Sequence, residues 1–373
     1  MQLKLNTKMV SSWAKQFMLV VAVAIAVSAC SKDDQPPYVP PAPTGAYANG
    51  FFILNEGWFQ HEAGSVNFYG YGEDSIRAFA FRNENDAALP TNETGTLENG
   101  KIIGENLFLI TKVGGPIVVA DAATLKEKAR ITLTGSDFRD ITQLTESTAL
   151  VSSGSNIYEL DLHSFTLAET PVYTGENITN LYVDNGYLLA AENGGLRIIG
   201  LNDFKSVAQF GGVTEGFVST PDGDVYGAAS NVLVRINADH DTTQIPLTAD
   251  IAQNTFAYTA PSLVSSEKEN AVYYIAADAI SYSPKDIYKY KKGDASSLDA
   301  PFISLPDGEF LYGSGIGYDS KNDQIITTSI TGYDESSKNI LRFYDAATGT
   351  LKSKIEYPHP YFPAKLVFYP KAD

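Results

Sequence analysis

An all-β fold, a seven-bladed β-propeller closed by a C-terminal strand in the first blade, follows from three features of the sequence. Short runs of Val, Ile, Leu, Tyr and Phe are separated by Gly, Asn, Asp and Pro clusters, with almost no helical periodicity. The runs group into seven similar units, at the spacing of about 40 to 50 residues that four-stranded blades require. The first unit has no inner strand ahead of it, and the chain end offers one, "AKLVFYP" at 364–370.

The units begin with "FFILNEG" (51), "NLFLITK" (106), "TALVSSG" (148), "GYLLAAE" (186), "GDVYGAA" (223), "NAVYYIA" (270) and "NDQIITT" (322). Each reads as an apolar strand, a small polar turn, a second strand ending in Asp or Asn, and a third short strand. The fourth strand is the short inner one just before it, such as "ITNLYVD" at 178–184 or "TEGFVSTP" at 214–221. "PDG" at 221–223 and "ATG" at 347–349 are expected hairpin turns. A β-sandwich array is the structural alternative, but it has no use for a terminal strand resembling the one missing from the first unit. Ring formation leaves no open sheet edge.

Ahead of the units lies a different kind of chain. Lys4, Lys8 and Lys15 precede a short apolar run at 17–27 and the small residues Ser28 and Ala29. This is the pattern of a signal peptide, 1–29, and it is shorter than the about 20 apolar residues of a membrane span. A start at Met9 gives the same leader in tighter form. Cys30 is the only cysteine, and "VSAC" fits a bacterial lipobox, in which that cysteine is lipidated. "SKDDQ" follows, with Lys32, Asp33 and Asp34 matching a surface-export signal, then "PPYVPPAP" at 36–43, a semi-rigid polyproline spacer. Residues 30–44 are therefore anchor, address and tether, and 45–373 the folded body. The expected location is the outer membrane, facing outward and held through the lipid alone.

The net charge is −17; without the three leader lysines, 24 basic residues face 44 acidic ones, a net −20. That balance disfavours nucleic acid and anionic lipid surfaces as partners. Trp58 is the only tryptophan after the leader.

"GFFILNEGWFQHEAGSVNFYGYG" carries a resemblance. Asn55, Glu56, Gly57, Gly64, Ser65, Val66 and Tyr69 resemble the opening blade of Bacteroidetes surface lipoproteins with a YncE-like propeller. The resemblance covers the body by blade spacing, with its specific motif confined to the first blade. It implies a lipoprotein seated over a TonB-dependent transporter that captures a scarce small molecule. One branch, BtuG-type, takes cobalamin and another takes ferric siderophores.

The residues themselves show no catalytic set, and no enzyme activity or cofactor is expected. His61, His163, His240 and His359 are scattered, no Gly-x-Ser-x-Gly elbow or thiol nucleophile exists, and "GSGIG" at 313–317 lacks a βαβ context, reading instead as the tight start of an inner strand. "NADHD" at 237–241 lacks the Gly and Glu of a calcium loop and reads as a polar hairpin. Asp121 and Asp161 recur at strand ends, which suits turn capping.

Binding is better supported. One face of the ring collects "NEGWFQHEAG", "KVGGP", "GSDFRD", "AENGG", "NTFAYTAP", "LPDGEFLYGSG" and "YPHPYFPAK". These loops are rich in aromatics, which offer large apolar area with a polar handle. The candidate ligand contacts are Trp58, Phe59, Phe138, Tyr258, Tyr312, Tyr333 and Tyr361, with Lys112 and Arg139 as the cations. Phe256, Phe310 and Phe362 belong to the same loops. Two cations among many acids suit a neutral corrinoid better than a triply anionic ferric catecholate. A siderophore, haem or glycan ligand, a propeller hydrolase or lyase acting on polysaccharide, and a protein-binding scaffold are the alternatives.

Overall fold

Strands whose two faces are both covered read as unbroken apolar runs, and strands with one wet face alternate. That contrast organises the molecule. In the computed structural model, "GFFILN" is buried along its whole length, whereas "LKSKIEY" near the chain end is exposed at most positions. The structure describes residues 44–370 apart from 92–94, 113, 214, 253–260, 279–282, 335 and 359–361.

The chain begins with β1 (Gly50–Asn55) and β2 (Ser65–Gly70), then a short helix α1 (Ala80–Glu84). Five four-stranded antiparallel sheets follow. They are β3 (Thr96–Ile103), β4 (Asn106–Lys112), β5 (Ile117–Asp121) and β6 (Glu127–Ile131); β7 (Phe138–Gln143), β8 (Thr148–Ser153), β9 (Asn156–Asp161) and β10 (Tyr173–Thr174); β11 (Leu181–Asp184), β12 (Tyr187–Glu192), β13 (Gly195–Gly200) and β14 (Ser206–Phe210); β15 (Glu215–Ser219), β16 (Val225–Ala229), β17 (Val232–Ile236) and β18 (Thr242–Pro246); β19 (Leu263–Ser265), β20 (Ala271–Ile275), β21 (Asp286–Lys291) and β22 (Ile303–Ser304). The remaining strands are β23 (Phe310–Asp319), β24 (Gln324–Ile330), β25 (Asn339–Asp345), β26 (Leu351–Tyr357) and β27 (Pro363–Phe368). With β1 and β2 they form one seven-stranded sheet, ordered β2-β1-β27-β23-β24-β25-β26. β27 pairs antiparallel with β1, Phe51 opposite Phe368 and Ile53 opposite Leu366, but its ladder with β23 is a single parallel position, Ser314 opposite Lys365. The architecture is an all-β propeller.

The core lies between successive sheets, face against face. Phe52, Leu54, Leu107, Leu109 and Val118 pack between the β1–β2 hairpin and the β3–β6 sheet. Leu189, Ile198, Val225 and Val234 do the same between β11–β14 and β15–β18. Phe51, Ile53, Ile326, Leu341 and Leu366 join β24 and β25 to β1 and β27. Each large aliphatic or aromatic side chain so buried contributes about 1.5–3 kcal/mol.

The outer strands carry the polar residues. β26 shows Lys352, Lys354 and Glu356 to solvent, which keeps a sheet edge from pairing with another chain. The third strands end in aspartates that cap the next turn. Asp121 Oδ1 accepts from the N–H of Ala123 and Thr124, Asp161 from His163 and Ser164, and Asp345 from Ala347 and Thr348. The 237–241 stretch is a hairpin between β17 and β18, with Asn237 accepting from the N–H of Asp239 and Asp241. The 313–317 glycines sit inside β23 rather than at its start, within a register shift between Leu311 and Ile316. Gly313 there adopts φ +56° against Ala364, a conformation that strains any other residue.

Phe138 does not lie in a loop. It opens β7, is 1% exposed, and packs with Phe108, Ile110, Ile117 and Ile131 in the core between the β3–β6 and β7–β10 sheets. It is a packing residue and not a ligand contact.

Candidate functional site

A classic β-bulge inserts one unpaired residue and re-aims its side chain. The inner strands of this protein carry such shifts near their beginnings: between Leu97 and Asn99 in β3, between Phe138 and Asp140 in β7, and between Glu215 and Phe217 in β15. The extra residues are Glu98, Arg139 and Gly216. Two adjacent inner strands thus each release a charged side chain from the ladder at the same end of the central channel.

The residue after each charged one stitches the channel wall. Asn99 Nδ2 donates to Arg139 O at 2.9 Å and to Asp140 Oδ1 at 3.3 Å. Asp140 Oδ2 accepts from the Leu181 N–H at 3.0 Å, and Asn180 Oδ1 accepts from the Gly216 N–H at 3.0 Å. Buried side chains of one inner strand thereby bond the next, which holds the mouth of the channel rigid.

Glu56 and Glu98 meet at this mouth. Glu56 follows β1 in the Asn-Glu-Gly motif, whose parts now have separate jobs. Asn55, fully buried, donates through Nδ2 to Ser65 O and Oγ. Gly57 has φ +85°, and a Cβ there would meet Glu62 O at 2.5 Å, so only glycine fits the tight loop. Glu56 is 7% exposed; its N–H donates to Phe362 O at 2.8 Å and its Oε2 accepts from the Tyr312 hydroxyl at 2.6 Å. Glu98 is 2% exposed; Oε1 accepts from Thr96 Oγ1 at 2.7 Å, while Oε2 has no hydrogen-bond partner among the described residues.

Burial raises the pKa of both acids. For Glu56 it outweighs the Tyr312 hydrogen bond and the Lys112 charge, which pull the other way. For Glu98 burial and the nearby Glu56 charge push the carboxyl up to about 8, against Thr96 and Lys112. Burial thus favours the protonated form of Glu98 near neutral pH. Burial, and then the Glu56 charge, push the Tyr312 phenol well above its usual range.

Aromatic rings lie beside the acids. Phe310, Tyr312, Phe362 and Ile330 form one cluster, with Tyr312 and Phe362 stacked at 4.8 Å. Tyr333 covers it, 5.2 Å from Phe310 and 5.9 Å from Phe362, and remains 54% exposed. Trp58 and Phe59 stand on the loop after Glu56, 41% and 44% exposed, with Trp58 over His61 at 4.3 Å. That loop is pinned by reciprocal backbone bonds between Trp58 and Glu62, each 2.8 Å.

Of the residues singled out from the sequence, Tyr312 and Tyr333 come together here, Trp58 and Phe59 sit on the loop that Glu56 ties to them, and Lys112 acts on both acids. Arg139 is turned into a bond with Asp137, 2.5 Å from Nη2, and is 11% exposed. Tyr258, Tyr361, Phe256, Cys30, Lys32, Asp33 and Asp34 lie outside the described residues. The acid pair was missed. Its one signal was an acid inside the apolar strand "TLENGKII", where alternation alone places it on a wet face.

Among the described residues no group of three or more His, Cys, Asp or Glu is placed to hold a metal ion. Below the mouth, the inner strands line a cavity of about 360 Å³ whose wall includes Lys101, Asp140, Tyr182, Phe217, Tyr318 and Lys365.

The family described as Domain of unknown function (DUF5074) matches residues 49–369, which is the propeller itself. The chain belongs to DUF5074. No curated protein matches it. Among solved structures, this DUF5074 chain resembles a quinonprotein alcohol dehydrogenase-like protein from Bacteroides thetaiotaomicron VPI-5482, at 20% identity and TM-score 0.69, over 86% of this chain and 78% of that one. It also resembles the Pan2 WD40 domain of Neurospora crassa, at 12% identity and TM-score 0.54, over 77% and 85% of the two chains. These likenesses speak for the propeller fold of the DUF5074 body and for nothing in its chemistry.

Proposed function

We propose that this DUF5074 protein is a surface lipoprotein, anchored through Cys30, that captures a scarce organic molecule at the channel mouth and hands it to a TonB-dependent transporter. A corrinoid is the ligand we favour, with a ferric siderophore or haem as the alternative in the same role. The observation that carries the reading is Tyr333, left 54% exposed over a cluster whose other rings are packed together and tied to the Glu56 loop. A rigid aromatic surface with a few buried polar groups beneath it is the ordinary make-up of a small-molecule site. A cavity of about 360 Å³ is small for a corrinoid, so the ligand lies across Trp58, Phe59 and Tyr333 and not in the channel.

We read the seven-stranded sheet as two blades, β23–β26 and β27-β1-β2, which makes seven in all. What supports this is the lone parallel position between β23 and β27, against full antiparallel ladders on either side.

The test is a calorimetric titration of the soluble body from Gly45 with cyanocobalamin. A saturable one-to-one isotherm is expected, weakened about tenfold or more by Trp58→Ala or Tyr333→Ala. A flat trace sinks the corrinoid and sends the question to ferric siderophores. One observation favours a second reading, a polysaccharide hydrolase or lyase: Glu56 and Glu98 are buried carboxyls that feel each other's charge, and burial pushes Glu98 up to about 8. Turnover of a glycan panel that is lost in Glu98→Gln would establish it over binding.

A further inference from the structure

The channel wall carries a charge that the mouth site does not use. Lys365, in β27, has no hydrogen bond or ion pair through its ammonium among the described residues, and its side chain lines the cavity of about 360 Å³. Lys101, from β3, lines the same cavity and pairs with Asp140 at 2.8 Å. Asp140 has little left to offer a second cation. Its carboxylate already accepts from Lys101, the Asn99 amide at 3.3 Å, the Ile141 N–H at 2.9 Å and the Leu181 N–H at 3.0 Å. The other titratable groups on this wall are Tyr182, Tyr318 and the exposed Glu267, and the Tyr318 hydroxyl is engaged with Asp323 at 2.8 Å. Ser219 and Ser265 add neutral polar surface.

The overall charge makes this arrangement unusual. In a chain of 44 acidic and 27 basic residues, a wall whose two lysines match its two carboxylates, the saturated Asp140 and the exposed Glu267, is locally free of the acidic excess. An ammonium in a poorly solvated channel is costly without a counter-charge. Burial first, and then the Lys101 charge, lower Lys365 to about 8, with Asp140 pulling it back.

We infer that the propeller channel is a binding site for a small oxyanion, a carboxylate or phosphate group held between Lys365 and Lys101. The anion supplies Lys365 with the partner the fold withholds and bridges it to the wall of β3. Asn99, Asn180, Ser219 and Ser265 are the neutral polar residues of the same cavity wall. The site is separate from the aromatic mouth, and it stands or falls independently of what docks there.

Titration of the intact chain with inorganic phosphate and with acetate tests this, the stronger of the two telling phosphate from carboxylate. Saturable binding of at least one is expected, weakened about tenfold or more in Lys365→Met. Binding to the wild type is expected to fade as pH rises through about 8, where Lys365 loses its proton, and to persist there in Lys365→Arg. Lys365→Met also gives a readout that guards against a folding artefact. It unfolds at a higher temperature than the wild type without anion, and gains nothing when anion is added. The inference is overturned if neither anion binds saturably, or if Lys365→Met and the wild type give the same isotherm.

Discussion

Ending the chain after Phe362 is expected to leave a protein with no cooperative thermal transition and with dye-binding apolar surface. β27 is short, but its two faces serve two cores. Leu366 packs with Phe51, Ile326 and Leu341, and Val367 packs on the opposite face with Phe52, Leu54 and Leu107. The strand also covers β1, whose residues from Phe51 to Leu54 are fully buried. Removing it exposes β1 as a long apolar edge and strips hydrophobic burial from both faces. At about 1.5–3 kcal/mol for each large side chain lost, this is comparable with the whole stability of about 5–15 kcal/mol. Leu366→Ala is the graded version, expected to cost about 2–5 kcal/mol while leaving the fold intact. Circular dichroism melts and ANS fluorescence read both. A truncated chain that melts sharply, within a few degrees of the full one, would show that β27 is an ornament and not a structural part of the sheet built on β1.

The order of strands was legible because burial on both faces leaves a mark that composition reveals. "FFIL", "LFLI" and "VYYI" are continuous apolar runs, and each belongs to a strand packed between two sheets. The turns were legible for a local reason: Asp121 and Asp161 bond to backbone N–H groups two and three residues on, so no tertiary contact decides them. The bulges were not legible. "GSDFRD" looks like a loop because a turn precedes it, and β7 in fact begins at Phe138. A single unpaired residue then decides that Phe138 enters the core while Arg139 turns to Asp137 at the mouth. The glycines of 313–317 likewise made "LPDGEFLYGSG" read as a loop, so Phe310 and Tyr312 were picked out as aromatics but not as members of a long inner strand that bends there. Glu98 was invisible for a deeper reason. Alternation predicts that an acid in a strand faces water, but near the channel mouth the face pointing out of the ladder is itself enclosed.

Glu98→Gln is expected to stabilise the protein near neutral pH and to have much less effect in acid. The sign follows from the carboxyl's two environments. In the unfolded chain it titrates near its ordinary 4.5, and in the folded protein burial lifts it to about 8. Below 4.5 both states hold the proton and the group contributes no pH dependence. Between 4.5 and 8 the folded state keeps a proton that the unfolded state has released, so stability falls as pH rises, by up to about 3 kcal/mol at neutrality. Glutamine keeps the shape and the acceptor for Thr96 Oγ1, and removes the titration. Any fixed cost of the new amide cancels when the variant and wild type are compared at two pH values. Lys365 works in the opposite direction and in another window: lowered from 10.5 to about 8, it makes stability rise with pH between those values. Urea unfolding across pH separates the two groups, because Glu98→Gln flattens the acid-to-neutral limb and Lys365→Met the alkaline one. If Glu98→Gln and the wild type run parallel between pH 5 and 8, Glu98 is already ionised in the folded protein. The positive charge of Lys112, and not burial, then governs the mouth of the channel, and the acid presented to a ligand is an anion.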